Sequence, residues 1–372
     1  MIADVSRRCF LKSTAAGVVS AGALAALAER LAAMSPAPAL GPKSKVRIGK
    51  IYLGHERPGW PSWQVDLQAD VQRFEAQLAR LRAGLADVEF VEGGVASNAA
   101  QVAAAKEKFQ NVSGILAIHL TLGVGGQIQS LLELGLPVML FSLPYSGHEW
   151  HTIASWQRQG KRIEALTTSR YEDVLAAIRP FRAIHRLKEA RVLNVSTGPA
   201  DAAYCQALKE KFGTEIRSLL LPDLQQACAA ADRGEAMADM RRWIKEARKI
   251  VEPTREDILK SSVMYIAMRD LLAQHGAVAI TMNCLGMGLI DRGLGYPCLG
   301  FARFNDMGLG GVCEADLKST MTHLIFSCLV GKPGFVTDPV LDEANSTIIH
   351  AHCVAATQML GPGTPASPYQ LR

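Results

Sequence analysis

From Lys45 onward the chain alternates two hydrophobic periodicities, and this alternation is what most limits its fold. Short runs rich in Val, Ile and Leu, at residues 46–53, 88–91, 114–119 and 137–141, have the length and bounding residues of buried strands. Between them, residues 64–83, 96–109 and 128–134 carry apolar residues at helical spacing. Strands that alternate with helices assemble into a parallel sheet covered by the helices.

The pattern restarts after Pro180, with strands expected at 191–195, 215–221 and 277–283 and helices at 200–212, 224–250 and 255–275. A length of 372 residues, 49% of them hydrophobic, is enough for two or three packed units. The expected fold class is α/β, with two tandem Rossmann-like domains at residues 45–180 and 181–309. A third segment starts near Gly310. Residues 315–330 read as a helix stopped by Gly331-Lys332-Pro333, and residues 335–337 and 347–352 as strands joined by a turn at 342–345. One helix and one hairpin are too few to close a core.

The first residues read as an address. Ser6-Arg7-Arg8-Cys9-Phe10-Leu11-Lys12 is a twin-arginine export signature, followed by an apolar small-residue run and an A-x-A site at Ala37-Pro38-Ala39. Residues 1–39 are therefore expected to be a signal handled by the twin-arginine machinery, with the mature chain periplasmic or extracellular. No later run is long and apolar enough for a membrane span. The charge of +5, from 40 basic and 35 acidic residues, comes without a basic stripe interleaved with aromatics, which argues against nucleic-acid binding. Seven cysteines remain after Cys9, with no C-x-x-C spacing, which argues against a disulfide scaffold and a zinc knuckle.

The residues that point to chemistry are Glu314, after Gly310-Gly311-Val312-Cys313, and Asp338, in Phe335-Val336-Thr337-Asp338-Pro339. A Gly-Gly turn permits close backbone approach to a ligand. An acid at the head of a helix and another at a strand end can converge on one hard cation. The bland readings are a helix-start Glu and a turn-forming Asp, although Asp316 suits the helix start better. His350 and His352 alternate around Ala351 and are expected on one face of a strand, with His352 kept as a substrate candidate. Cys353 reads as a buried thiol.

In order and wording, the segment from Asn283 to Arg372 resembles the L-fucose isomerase and L-arabinose isomerase-like family. The resemblance extends over roughly residues 45–372. It implies that Glu314 and Asp338 bind manganese, or magnesium, and move protons between C1 and C2 of a monosaccharide. It places a third ligand, a His, beyond Arg372, and makes residues 310–372 the incomplete start of a β-rich C-terminal domain. It also implies a homo-oligomer. All-oxygen ligation plus one imidazole suits manganese or magnesium better than zinc. The alternatives are an exported non-catalytic sugar-binding protein and an inactive fragment lacking the last ligand.

Other candidates are weaker. Asn283 ends a strand at an expected domain junction, where it could hydrogen-bond substrate. The loop Leu122-Gly123-Val124-Gly125-Gly126-Gln127 could hold an anion, but reads better as a tight turn before a helix. Residues 142–150 form a polar, aromatic loop of a kind found in sugar sites and also on ordinary surfaces.

Overall fold

The computed structural model describes residues 44–60 and 62–372; the expected signal at residues 1–39, with its cleavage site, lies outside them. The first unit runs β1 (Val46–Leu53), α1 (Leu67–Arg80), β2 (Val88–Ala96), α2 (Ala99–Lys108), β3 (Ile115–His119), α3 (Gly125–Leu132), β4 (Val138–Ser142), α4 (Ile153–Arg158), β5 (Ile163–Thr167) and α5 (Arg179–Glu189). Its five strands are parallel in the order β2-β1-β3-β4-β5. Alternate strand residues go to opposite faces. Ile115, Ala117 and Leu140 pack with Val102, Ile128 and Leu131 on one side. Leu116, Ile118 and Phe141 pack with Phe74, Leu78 and Phe181 on the other.

The second unit continues with β6 (Arg191–Ser196), α6 (Ala202–Phe212), β7 (Glu215–Leu220), α7 (Leu221–Ala230), α8 (Arg233–Glu246), β8 (Lys249–Ile250), α9 (Arg255–His275), β9 (Ala279–Met282), α10 (Cys298–Asp306), β10 (Gly310–Cys313) and α11 (Leu317–Val330). The single helix expected at 224–250 is two, because Asp232 accepts a hydrogen bond from the Glu235 amide and starts α8 afresh. The second parallel sheet has the order β10-β9-β6-β7. The α/β class with parallel sheets is as expected.

The boundary expected at residue 310 falls inside this second unit. β10 pairs in parallel with β9, and Leu317, Met321 and Leu324 of α11 bury against Val192 and Ala279. A fully buried large apolar side chain stabilises by about 1.5–3 kcal/mol, so the second sheet is where residues 310–330 gain most.

Beyond it lie the antiparallel hairpin β11 (Asp338–Asp342) and β12 (Thr347–Ala351), and β13 (Gln370–Leu371), which pairs with β8. The strand expected at 335–337 begins instead at Asp338. Among the described residues, no helix is long and apolar enough to cross a membrane.

Candidate metal centre

β9 and β10 end side by side, with Met282 paired to Cys313. In open parallel sheets, ligands bind outside the carboxyl ends of the strands. β10 is an edge strand, and a side chain closes its outer side. Asn305 Nδ2 donates to the Gly311 carbonyl at 3.1 Å, and Asn305 Oδ1 accepts from the Gly311 amide at 2.8 Å. The amide thus stands in for a neighbouring strand and fixes β10.

Gly310-Gly311 is strand rather than the expected turn, and its close approach is to α10 and β9, not to a ligand. A Cβ on Gly311 would stand 2.5 Å from Phe301 Cα, and one on Gly310 2.7 Å from Ala279 Cβ.

Directly past β10 the backbone enters the left-handed region at two successive non-glycine residues, Glu314 (φ 66°) and Ala315 (φ 55°). This conformation costs an L-residue roughly 1–2 kcal/mol and persists only where the surroundings enforce it. Asp316 then caps α11, its Oδ1 accepting from the amides of Lys318 (2.8 Å) and Ser319 (3.0 Å). With the capping role taken by Asp316, Glu314 is left for other partners.

The hairpin brings the second acid. Asp338 pairs with Ala351 across β11 and β12. The next residue, His352, therefore comes alongside, with Nε2 3.8 Å from Asp338 Oδ2. Ligand atoms of Glu314, Asp338 and His352 all lie within 4.8 Å of one another. The two acids are exposed, whereas the His352 side chain is only 5% exposed. Two carboxylates and one imidazole form a donor set that could hold a hard divalent cation.

His350 does not join them. β12 ends at Ala351, so the pair does not share a strand face; His350 stays exposed with Nδ1 3.0 Å from Thr337 Oγ1. Asn283 reaches the same sheet edge, but its amide holds local structure. Its Oδ1 accepts from the Gly286 amide at 2.9 Å, and its Nδ2 lies 3.5 Å from Ser196 Oγ.

Spacing along the chain gave no sign of the thiols gathered beside this set. Cys353 Sγ lies 3.8 Å from both Cys298 Sγ and Cys313 Sγ, and 3.4 Å from His352 Nδ1. Cys284, Cys298 and Cys353 together push the Cys313 thiol up. The Cys353 thiol is held down by Cys298 and Cys313, with His352 adding to the effect. No C-x-x-C marks this group because its members come from four separate elements.

In the first unit, the loop at residues 122–127 does hold an anion, and the anion is internal. The amides of Gly123 and Val124 donate to Glu149 Oε1 at 2.6 and 3.0 Å, and Glu149 Oε2 lies 2.9 Å from His119 Nε2. Burial pushes the Glu149 carboxyl up, but the His119 imidazole and the Gly123 amide outweigh it and hold the group at about 2. Glu149 is therefore structural. The neighbouring aromatics remain open, with Trp60, Tyr145, His148 and Trp150 lining a cavity of about 440 Å³.

These features define an α/β protein of two Rossmann-like units with a carboxylate–imidazole cluster at the carboxyl edge of the second sheet. Compared with family models and with curated proteins, the chain matches none.

Proposed function

We propose that the chain is a divalent-metal-dependent aldose–ketose isomerase of the fucose/arabinose isomerase-like type, exported by the twin-arginine route and acting on a small sugar. The observation that carries this reading is the convergence of Glu314, Asp338 and His352 past the carboxyl end of β10. Their donor chemistry fits manganese or magnesium. When bound, the cation polarises the sugar carbonyl and offsets the negative charge left when the neighbouring carbon loses its proton.

The residues do the rest. A carboxylate oxygen of Glu314 or Asp338 takes the proton from C2 of the aldose and returns one to C1, while the other acid passes the proton of the C2 hydroxyl to O1. The two acids sit on different elements, one on a constrained turn and one at a hairpin base, so they can bracket a substrate from two sides. His352, its Nε2 3.8 Å from Asp338 Oδ2, completes the donor set beside the two acids.

The test uses the full chain, stripped of metal and resupplied with Mn2+, incubated in D2O with a panel of aldopentoses and aldohexoses. Ketose carrying deuterium at C1 is the expected product. If no sugar in the panel gives ketose at saturating Mn2+, the reading is wrong.

A second reading, an exported sugar-binding protein, draws on the aromatic cavity of the first unit, where the Trp60 and His148 rings lie 4.9 Å apart. Sugar binding that is indifferent to metal removal selects it.

A further inference from the structure

Thiols from four parts of the fold lie beside the carboxylate–imidazole set, and two of them converge with its imidazole. Cys284 lies in the turn after β9, Cys298 is the first residue of α10, Cys313 ends β10, and Cys353 follows the hairpin. We propose that Cys313, Cys353 and His352 form a site for one soft divalent ion of the zinc type, with Cys298 beside it, and that His352 offers Nδ1 to this ion and Nε2 to the side of Asp338.

Geometry carries the inference. The two Sγ–Sγ separations of 3.8 Å are far longer than the roughly 2.05 Å of a disulfide, so neither pair is a bridge. They match the tetrahedron edge of about 3.8 Å that follows from zinc–sulfur bonds of about 2.3 Å. Cys353 holds two such contacts at once. Cys313, Cys353 and His352 offer ligand atoms within 4.8 Å of one another, so the imidazole is the third donor of the set.

Access and charge agree. A cavity of about 520 Å³, lined by Cys298, Cys353 and His352 among others, opens onto the thiols and gives an ion an entry path. Cys298 starts a nine-residue helix, whose amide end favours negative sulfur there. On binding, each ligating S–H bond breaks, its proton leaves to solvent, and the sulfur electron pair forms the bond to the metal. The neighbouring donor sets are sorted by softness, thiolates for a zinc-type ion and carboxylates for manganese or magnesium. The thiolate site stands whether or not the isomerase reading does.

The probe is Co2+ alone, added to the reduced, metal-stripped full chain. One equivalent is expected to give intense sulfur-to-cobalt charge-transfer absorption that one equivalent of Zn2+ abolishes. Cys353→Ser is expected to weaken Co2+ binding at that band at least tenfold, while Glu314→Gln leaves the band in place. The wild-type spectrum decides even if Cys353→Ser fails to fold. Only the weak absorption of oxygen and nitrogen ligation, or no cobalt binding at all, overturns the proposal and makes the thiols plain packing. Loss of isomerase activity with Mn2+ does not bear on this band, so the two readings fail separately.

Discussion

His352 Nε2 and Asp338 Oδ2 stand 3.8 Å apart because the hairpin register pairs Asp338 with Ala351, the residue before the histidine. A slip of one residue would set another residue against Ala351 and take Asp338 away from His352. The carboxylate–imidazole set therefore depends on hairpin pairing as much as on residue identity. His352 also touches Cys353 through Nδ1 at 3.4 Å, so one ring links the two donor groups.

Glu314→Gln keeps the size of an exposed side chain and removes its charge. Turnover is expected to fall at least ~100-fold and Mn2+ affinity ~10-fold or more, with stability changed by less than about 0.5 kcal/mol. Calorimetric Mn2+ titration beside a urea unfolding curve checks this. Unchanged turnover would remove Glu314 from the site.

Ala315→Gly relieves a left-handed residue (φ 55°) without touching a ligand. Glycine meets no Cβ conflict there, although it gains freedom when unfolded. The net expectation is a stabilisation of about 0.5–1 kcal/mol, read as a raised melting temperature. A lowered one would mean that the Ala315 methyl group contributes packing that outweighs its strain.

Gly311→Ala inserts a Cβ 2.5 Å from the Phe301 backbone. β10 must then move off α10, carrying Cys313 and Glu314 with it. A loss of about 1–3 kcal/mol is expected, together with weaker metal binding at a site whose own residues are unchanged. Chemical denaturation and metal titration of the same variant measure both effects, and native behaviour in either contradicts the packing argument.

Glu149 gives a pH signature. Its carboxyl is depressed from an ordinary 4.5 to about 2 in the folded chain. A depressed acid contributes stability above its unfolded pKa, and this is lost as pH falls through the folded value. Wild type should therefore exceed Glu149→Gln by about 3 kcal/mol at neutral pH. The gap should stay level down to pH ~5 and close between there and ~2. Urea melts of both proteins across that range report it, and a gap that persists at the acid end would show that shape rather than charge matters.

Local pattern determined much of this protein. Thr254 and Asp257 form the capping box that starts α9, and Gly276 (φ 56°) follows its last residue, so residues 255–275 were fully legible as a helix. Asp316 could be recognised as the cap that leaves Glu314 free, since capping is decided within one turn. Glu314 and Asp338 stood out as acids at element ends, but their meeting was not written in their spacing.

What joined them was long-range. Strand β10 belongs to the second sheet because β9 offers a partner and α11 can bury Leu317, Met321 and Leu324 there, a choice no local window contains. The third partner, His352, was fixed by hairpin register. The thiols lay further from view, since Cys284, Cys298, Cys313 and Cys353 lie on four elements and form no local motif. Sequence settles periodicity and capping because those forces act over a few residues. The site belongs to tertiary structure because strand pairing and burial act between segments that chain spacing leaves far apart.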